Sequence, residues 1–91
     1  AAAPAAPVAA AAPDAAQVQQ VITQRCLMCH GAEVQMKNVR LDSVDQLRQH
    51  AQGIYQQVVV TRVMPMNNAT QITDAERELI GRWFLAGAKL P

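Results

Sequence analysis

Nine of the first twelve residues are alanine, and Pro4, Pro7 and Pro13 interrupt the run. Small side chains broken by residues of fixed φ bury little surface, so residues 1–13 are read as a semi-extended linker or tether. That leaves residues 14–91 to fold as one domain, which is the tightest constraint on everything that follows. A domain of fewer than about 80 residues makes a marginal core and usually relies on a metal, a disulfide or a cofactor. Only three aromatic side chains, Tyr55, Trp83 and Phe84, are available to fill it, and the N-terminal alanines inflate the 51% hydrophobic content. A further source of apolar bulk is expected. The N-terminal run lacks the basic start and bulky apolar stretch of a signal peptide, and no stretch here is long and apolar enough to span a bilayer.

Charge excludes one large class of function. The formal net charge is +1, and Arg25, Lys37, Arg40, Arg48 and Arg62 are interleaved with Glu33, Asp42 and Asp45. A nucleic-acid footprint needs clustered cations and more aromatic groups for stacking. The pattern reads as a solvated surface.

The spacing of apolar residues predicts helices joined by loops. Asp14 and Gln17 have capping-box spacing, and Val18, Val21, Ile22 and Arg25 follow at helical intervals. This helix runs directly into CLMCH, residues 26–30, after which residues 31–42 show no period and are expected to form a loop. Ser43 with Gln46 caps a second helix carrying Leu47, His50 and Ala51 on one side, which Gly53 is expected to break or bend. Val58, Val59 and Val60 alone would favour a strand. Ile54 with Val58 and Tyr55 with Val59 match helical spacing instead, and no partner strand is visible. Helix is therefore expected up to Met64-Pro65, because the residue before a proline is pushed out of the helical region. Thr73 and Glu76 form the strongest capping box, ahead of a stripe of Leu79, Ile80, Trp83 and Phe84, with Gly87 placed as the stop. The fold class expected is all-α.

Three chemistries compete for Cys26, Cys29 and His30. A structural zinc site needs four ligands, and the chain offers one further histidine, His50, and no further cysteine. Thiol exchange needs its CxxC after a strand and at the start of a helix, whereas this motif follows a predicted helix and precedes a loop. A plain disulfide across so short a spacing would be strained and would leave His30 without a role. Covalent haem gives every residue a task. The two thiols add across the porphyrin vinyl groups as thioethers, and His30, beside the second anchor, offers an imidazole nitrogen to the iron.

A second axial ligand is then sought among Met28, Met36, Met64, Met66 and His50. Met28 lies within the anchoring motif and Met36 close behind it, both on the side of His30. Met64 and Met66 lie far along the chain in VMPMNN, between two predicted helices, where a thioether can close over the opposite face. Pro65 stiffens that loop, and Asn67 or Asn68 is placed to hydrogen-bond within it or to a haem edge. Met64 is preferred, then Met66, then His50. Arg40, Arg62, Tyr55 and Trp83 are candidate haem neighbours, with surface or core packing the simpler reading for each.

The order of helix, CxxCH, helices, Met-Pro loop and capped C-terminal helix with an aromatic stripe resembles class I c-type cytochromes over about residues 14–88. The resemblance implies a small class I cytochrome c fold of about four helices around one haem c. It implies thioethers at Cys26 and Cys29, with His30 and Met64 as axial ligands. It also implies contact between the first and last helices, with Trp83 and Phe84 in or near it. More narrowly, CLMCH, LDSVDQLRQHAQGIYQQ and MPMNNATQITDAERELIGRWFLAGA resemble the C-terminal cytochrome c domain of bacterial membrane-bound urate oxidases. The Ala/Pro segment would then be the tether from the membrane part, and the location the periplasmic side of the inner membrane. Two departures stand out. No proline lies between His30 and Met64 to offer the carbonyl that often receives the proximal histidine, so another carbonyl or water must do so. The first helix also lacks the glycine used for close helix contact, a place Ala15 or Ala16 would take.

Iron with both axial positions filled by protein moves single electrons and has no open place for substrate. Histidine with methionine raises the potential relative to two histidines. The expected function is electron relay from a fused urate-oxidising enzyme towards a respiratory chain, through small short-lived interfaces with redox partners. A free soluble periplasmic carrier is the close alternative. A haem peroxidase or gas sensor with a labile distal methionine is the more distant one. The domain itself carries no catalytic residues.

Overall fold

The computed structural model describes residues 15–90; the expected linker at 1–13 and the expected cap at Asp14 lie outside them. Four helices follow in order: α1 (Ala15–Arg25), a single turn α2 (Leu27–His30), α3 (Val44–Ile54) and α4 (Asp74–Leu85). No strand occurs among the described residues, where β-type pairing is confined to an isolated bridge between His30 and Gln35.

Each long helix buries the face its periodicity marks. Val18, Val21 and Ile22 on α1, Leu47, Ala51 and Ile54 on α3, and Ile80 and Trp83 on α4 form one core with Leu41, Val58 and Ile72. The caps are those the sequence implies. Ser43 accepts a bond from the Gln46 amide, and Thr73 and Glu76 make a complete capping box. Gly87, at φ +111°, ends α4: its amide and that of Ala88 bond the Phe84 and Trp83 carbonyls, which closes a Schellman turn.

Gly53 does not break the helix. It lies inside α3, exposed, and open space surrounds the place a Cβ would occupy. A mid-helix glycine costs about 1 kcal/mol, which burial of Ala51 and Ile54 on either side offsets. The chain continues as a π-helix over Tyr55–Val60, marked by the Thr61 amide bonding the Gln56 carbonyl five residues back. Helical geometry there ends at Val60, well before Pro65. The Thr61 hydroxyl donates to the Gln56 carbonyl at 3.1 Å and Arg62 turns to φ +62°. The widened turn keeps Val58 buried and packs Tyr55 against Phe84, ring centroids 4.4 Å apart.

The first and last helices are in contact. Arg25 ties them: its guanidinium donates to both Glu76 carboxylate oxygens, at 3.1 and 3.3 Å, and to the Thr70 carbonyl at 2.6 Å. The Thr70 hydroxyl returns a bond to the Arg25 carbonyl. Burial works to raise the Glu76 carboxyl, but the Thr73 amide and Arg25 outweigh it and hold it below its ordinary range. The glycine that permits close approach sits on α4. A Cβ on Gly81 would lie 3.2 Å from the Val59 side chain, so this glycine seats α4 on the π-helix. Ala15 is half-buried and Ala16 exposed. Among the described residues no helix is long and apolar enough to cross a membrane.

Candidate cofactor site

Cys26, Cys29 and His30 occupy one turn whose backbone is tied on three sides. The Cys29 and His30 amides bond the Cys26 carbonyl at 3.2 and 3.0 Å, and the Cys26 amide bonds Ile22 at the end of α1. The loop that follows folds back: the Leu41 amide donates to the His30 carbonyl at 2.7 Å, and buried Leu41 anchors that loop in the core. The His30 ring lies 3.2 Å, through Nδ1, from the Val39 carbonyl. In the Nδ1-protonated tautomer the ring donates there, and Nε2 keeps its lone pair for a metal. The carbonyl that sequence could not supply as a proline is therefore that of Val39.

Both cysteines are half-buried free thiols. Burial, with a smaller contribution from Cys29, pushes the Cys26 thiol up to about 11. It stays protonated at neutral pH, opposite to the lowered pKa that thiol exchange needs. Among the described residues no three His, Cys, Asp or Glu side chains are gathered as a protein-only metal centre would gather them.

Gly31 closes the turn. It is buried, and a Cβ there would meet the Leu27 carbonyl oxygen at 2.7 Å. Backbone cannot yield as a side-chain tip can, so Gly31→Ala is expected to shift the turn that carries His30. Overpacking of this kind costs about 1–3 kcal/mol. Urea unfolding of the mature protein measures the loss. A change below about 0.5 kcal/mol would mean the turn adapts freely.

Met64 belongs to a different part of the molecule. Its side chain is half-buried against the core, its amide bonds the Gln57 carbonyl at 3.0 Å, and its carbonyl accepts from Arg77 Nη1 at 2.9 Å. Met66 is 53% exposed, Met28 68% and Met36 43%. His50 is half-buried on the core side of α3. Asn68 bonds the Ile72 amide and carbonyl and so braces the loop internally. Arg62, Met64, Pro65, Met66, Asn68 and Arg77 help line a hollow of about 510 Å³. His30 and the two cysteines are not among its lining residues, so the candidates fall into two groups: the Cys26–His30 turn and the Met64 loop.

The four residues weighed as haem neighbours all have partners within the protein. Arg40 pairs with Asp42 at 2.7 Å, Arg62 pairs with Asp74, Tyr55 stacks on Phe84, and Trp83 Nε1 donates to the Lys89 carbonyl. The residue that sequence reasoning missed is Arg77, 8% exposed, whose Nη1 bonds both Met64 and, at 2.7 Å, the Val58 carbonyl. Its signal was present: Arg77 precedes Ile80 and Phe84 by three and seven residues, a cation on the apolar face of α4. Comparison with known proteins adds no family to this geometry: no protein-family model, no curated protein and no solved structure matches the chain.

Proposed function

We propose that this chain is a single-electron carrier that holds one haem c through Cys26 and Cys29, with His30 and Met64 as axial ligands. In this reading it relays electrons from a membrane-bound urate-oxidising protein to a respiratory chain on the periplasmic side of the inner membrane. One observation carries the reading. His30, immediately after two free cysteines spaced CxxC, places Nδ1 3.2 Å from the Val39 carbonyl, so that in the Nδ1-protonated tautomer Nε2 keeps its lone pair for a metal.

When bound, haem would supply reversible one-electron iron chemistry. The chain's own residues do the rest. Cys26 and Cys29 anchor it covalently, and the Val39 carbonyl fixes the imidazole's tautomer and direction and increases its basicity as a ligand. Met64 offers a soft neutral donor that favours the reduced metal. The half-buried position of Met64 supports choosing it over exposed Met66, because a ligand held against the core loses less freedom on coordination. A small core with one fully buried aromatic residue, Trp83, also fits a domain completed by a large apolar group.

The test is expression in a periplasm equipped for thioether formation, followed by haem staining on a denaturing gel. The wild-type chain should stain at its own mass and the Cys26→Ala, Cys29→Ala double variant should not. An unstained wild-type band that accumulates as folded protein would overturn the reading. Staining of source membranes then separates relay from free carrier: a band far larger than this chain marks a fused enzyme, to which urate is added next.

A further inference from the structure

We infer that Arg77 is the positioning residue of the distal loop. Its guanidinium clamps the end of the π-helix to the backbone of Met64 and so sets how firmly that methionine holds its metal. The inference rests on the proposed His30 and Met64 ligation.

Arg77 is buried, with 8% of its surface exposed, yet among the described residues it has no carboxylate partner. Both of its hydrogen bonds run from one nitrogen, Nη1, to main-chain carbonyls: Val58 in the π-helix at 2.7 Å and Met64 in the loop at 2.9 Å. A charged donor strengthens each bond, and a buried site strengthens both further. Val58 is itself 3% exposed, so the clamp is fixed at one end to the core. On the loop side, Met64 has a second tie through its amide to the Gln57 carbonyl, again in the π-helix. Both ends of this residue's backbone are thus referred to one rigid element, and Arg77 supplies the tie from α4. The side chains of Arg62 and Asp74, which join the same loop to α4 at the surface, are 55% and 89% exposed and add little firmness.

A merely structural Arg77 would lower unfolding stability and leave the methionine bond as it was. A positioning Arg77 changes the ease with which another ligand displaces Met64. The experiment titrates the mature ferric protein with imidazole and follows loss of the methionine-to-iron charge-transfer band. Arg77→Met is expected to bind imidazole about tenfold more tightly than wild type. Arg77→Lys, which keeps a charged donor, should recover most of the difference. Val18→Ala, a fully buried site on α1, serves as the control: it should lower the urea midpoint and leave imidazole affinity unchanged. Should Arg77→Met fail to accumulate, Arg77→Gln is read in the same way with the same expected direction. Wild-type affinity in Arg77→Met or Arg77→Gln, or an equal shift in Val18→Ala, overturns the inference. A wild-type protein that stains for haem but shows no charge-transfer band overturns the Met64 ligation itself, and the positioning role falls with it.

Discussion

Met64→Ala is expected to abolish the methionine-to-iron charge-transfer band and to lower the reduction potential, while Met66→Ala leaves both as in wild type. The separation rests on how the two side chains are held. Met64 is half-buried against the core, whereas Met66 is 53% exposed on a short helical turn. The Met64 backbone is fixed independently of its side chain, by Gln57 and Arg77. Truncation therefore removes the thioether and keeps the loop, and the stability change should stay below about 2 kcal/mol because little side-chain area leaves the core. Axial ligands and surroundings spread haem potentials over roughly 0.8 V. Loss of the methionine should lower the potential by on the order of 0.1 V, in the direction expected when a soft neutral donor is exchanged for water. Ferrous Met64→Ala should also bind carbon monoxide at neutral pH, which wild type should not. A band that survives in Met64→Ala and disappears in Met66→Ala would exchange the two assignments.

The three long helices were legible because their signals are local and redundant. Val18, Val21 and Ile22 repeat at helical spacing, and the Thr73–Glu76 box is formed by two side chains only three residues apart. Val58 to Val60 was harder. Ile54–Val58 and Tyr55–Val59 pairs identified helix correctly, but they serve a π-helix as well as an α-helix, so the widened turn and its early end at Val60 had no separate signature. The backbone carbonyls were wholly illegible. Val39 holds the His30 ring through an atom every residue possesses, and only the path of the loop selects it. Arg77 failed for a different reason: a cation in a helix is most often solvated, and its two acceptors are again main-chain oxygens, 19 and 13 residues away in sequence. The CxxCH turn was the most legible part of the site, yet nothing in its five residues announced that Gly31 has no room for a Cβ.

Trp83→Ala is expected to cost the most stability of any single core change, about 3–5 kcal/mol. Trp83 is the largest of the fully buried side chains, at 1% exposure, and it lies in the last turn of α4, one turn after Ile80. Total stability at roughly 0.05–0.15 kcal/mol per residue comes to about 4–11 kcal/mol for a fold of this size. Truncation thus removes about a quarter of the total at the least and all of it at the most. The indole also donates from Nε1 to the Lys89 carbonyl at 3.0 Å, which folds the C-terminal residues back over α4, and Arg48 Nη2 reaches the next carbonyl, that of Leu90. The amides just before them, Gly87 and Ala88, donate to the Phe84 and Trp83 carbonyls and should lose protection from exchange together with the core. Trp83→Phe separates the two contributions. It retains most of the apolar volume and loses the hydrogen bond, so it should cost about 1–2 kcal/mol while still releasing the tail. Urea unfolding of the mature protein by far-UV circular dichroism measures both variants, and hydrogen exchange at Gly87 and Ala88 reports the tail. If Trp83→Ala unfolds within about 1 kcal/mol of wild type, the apolar bulk of this domain lies elsewhere than in α4.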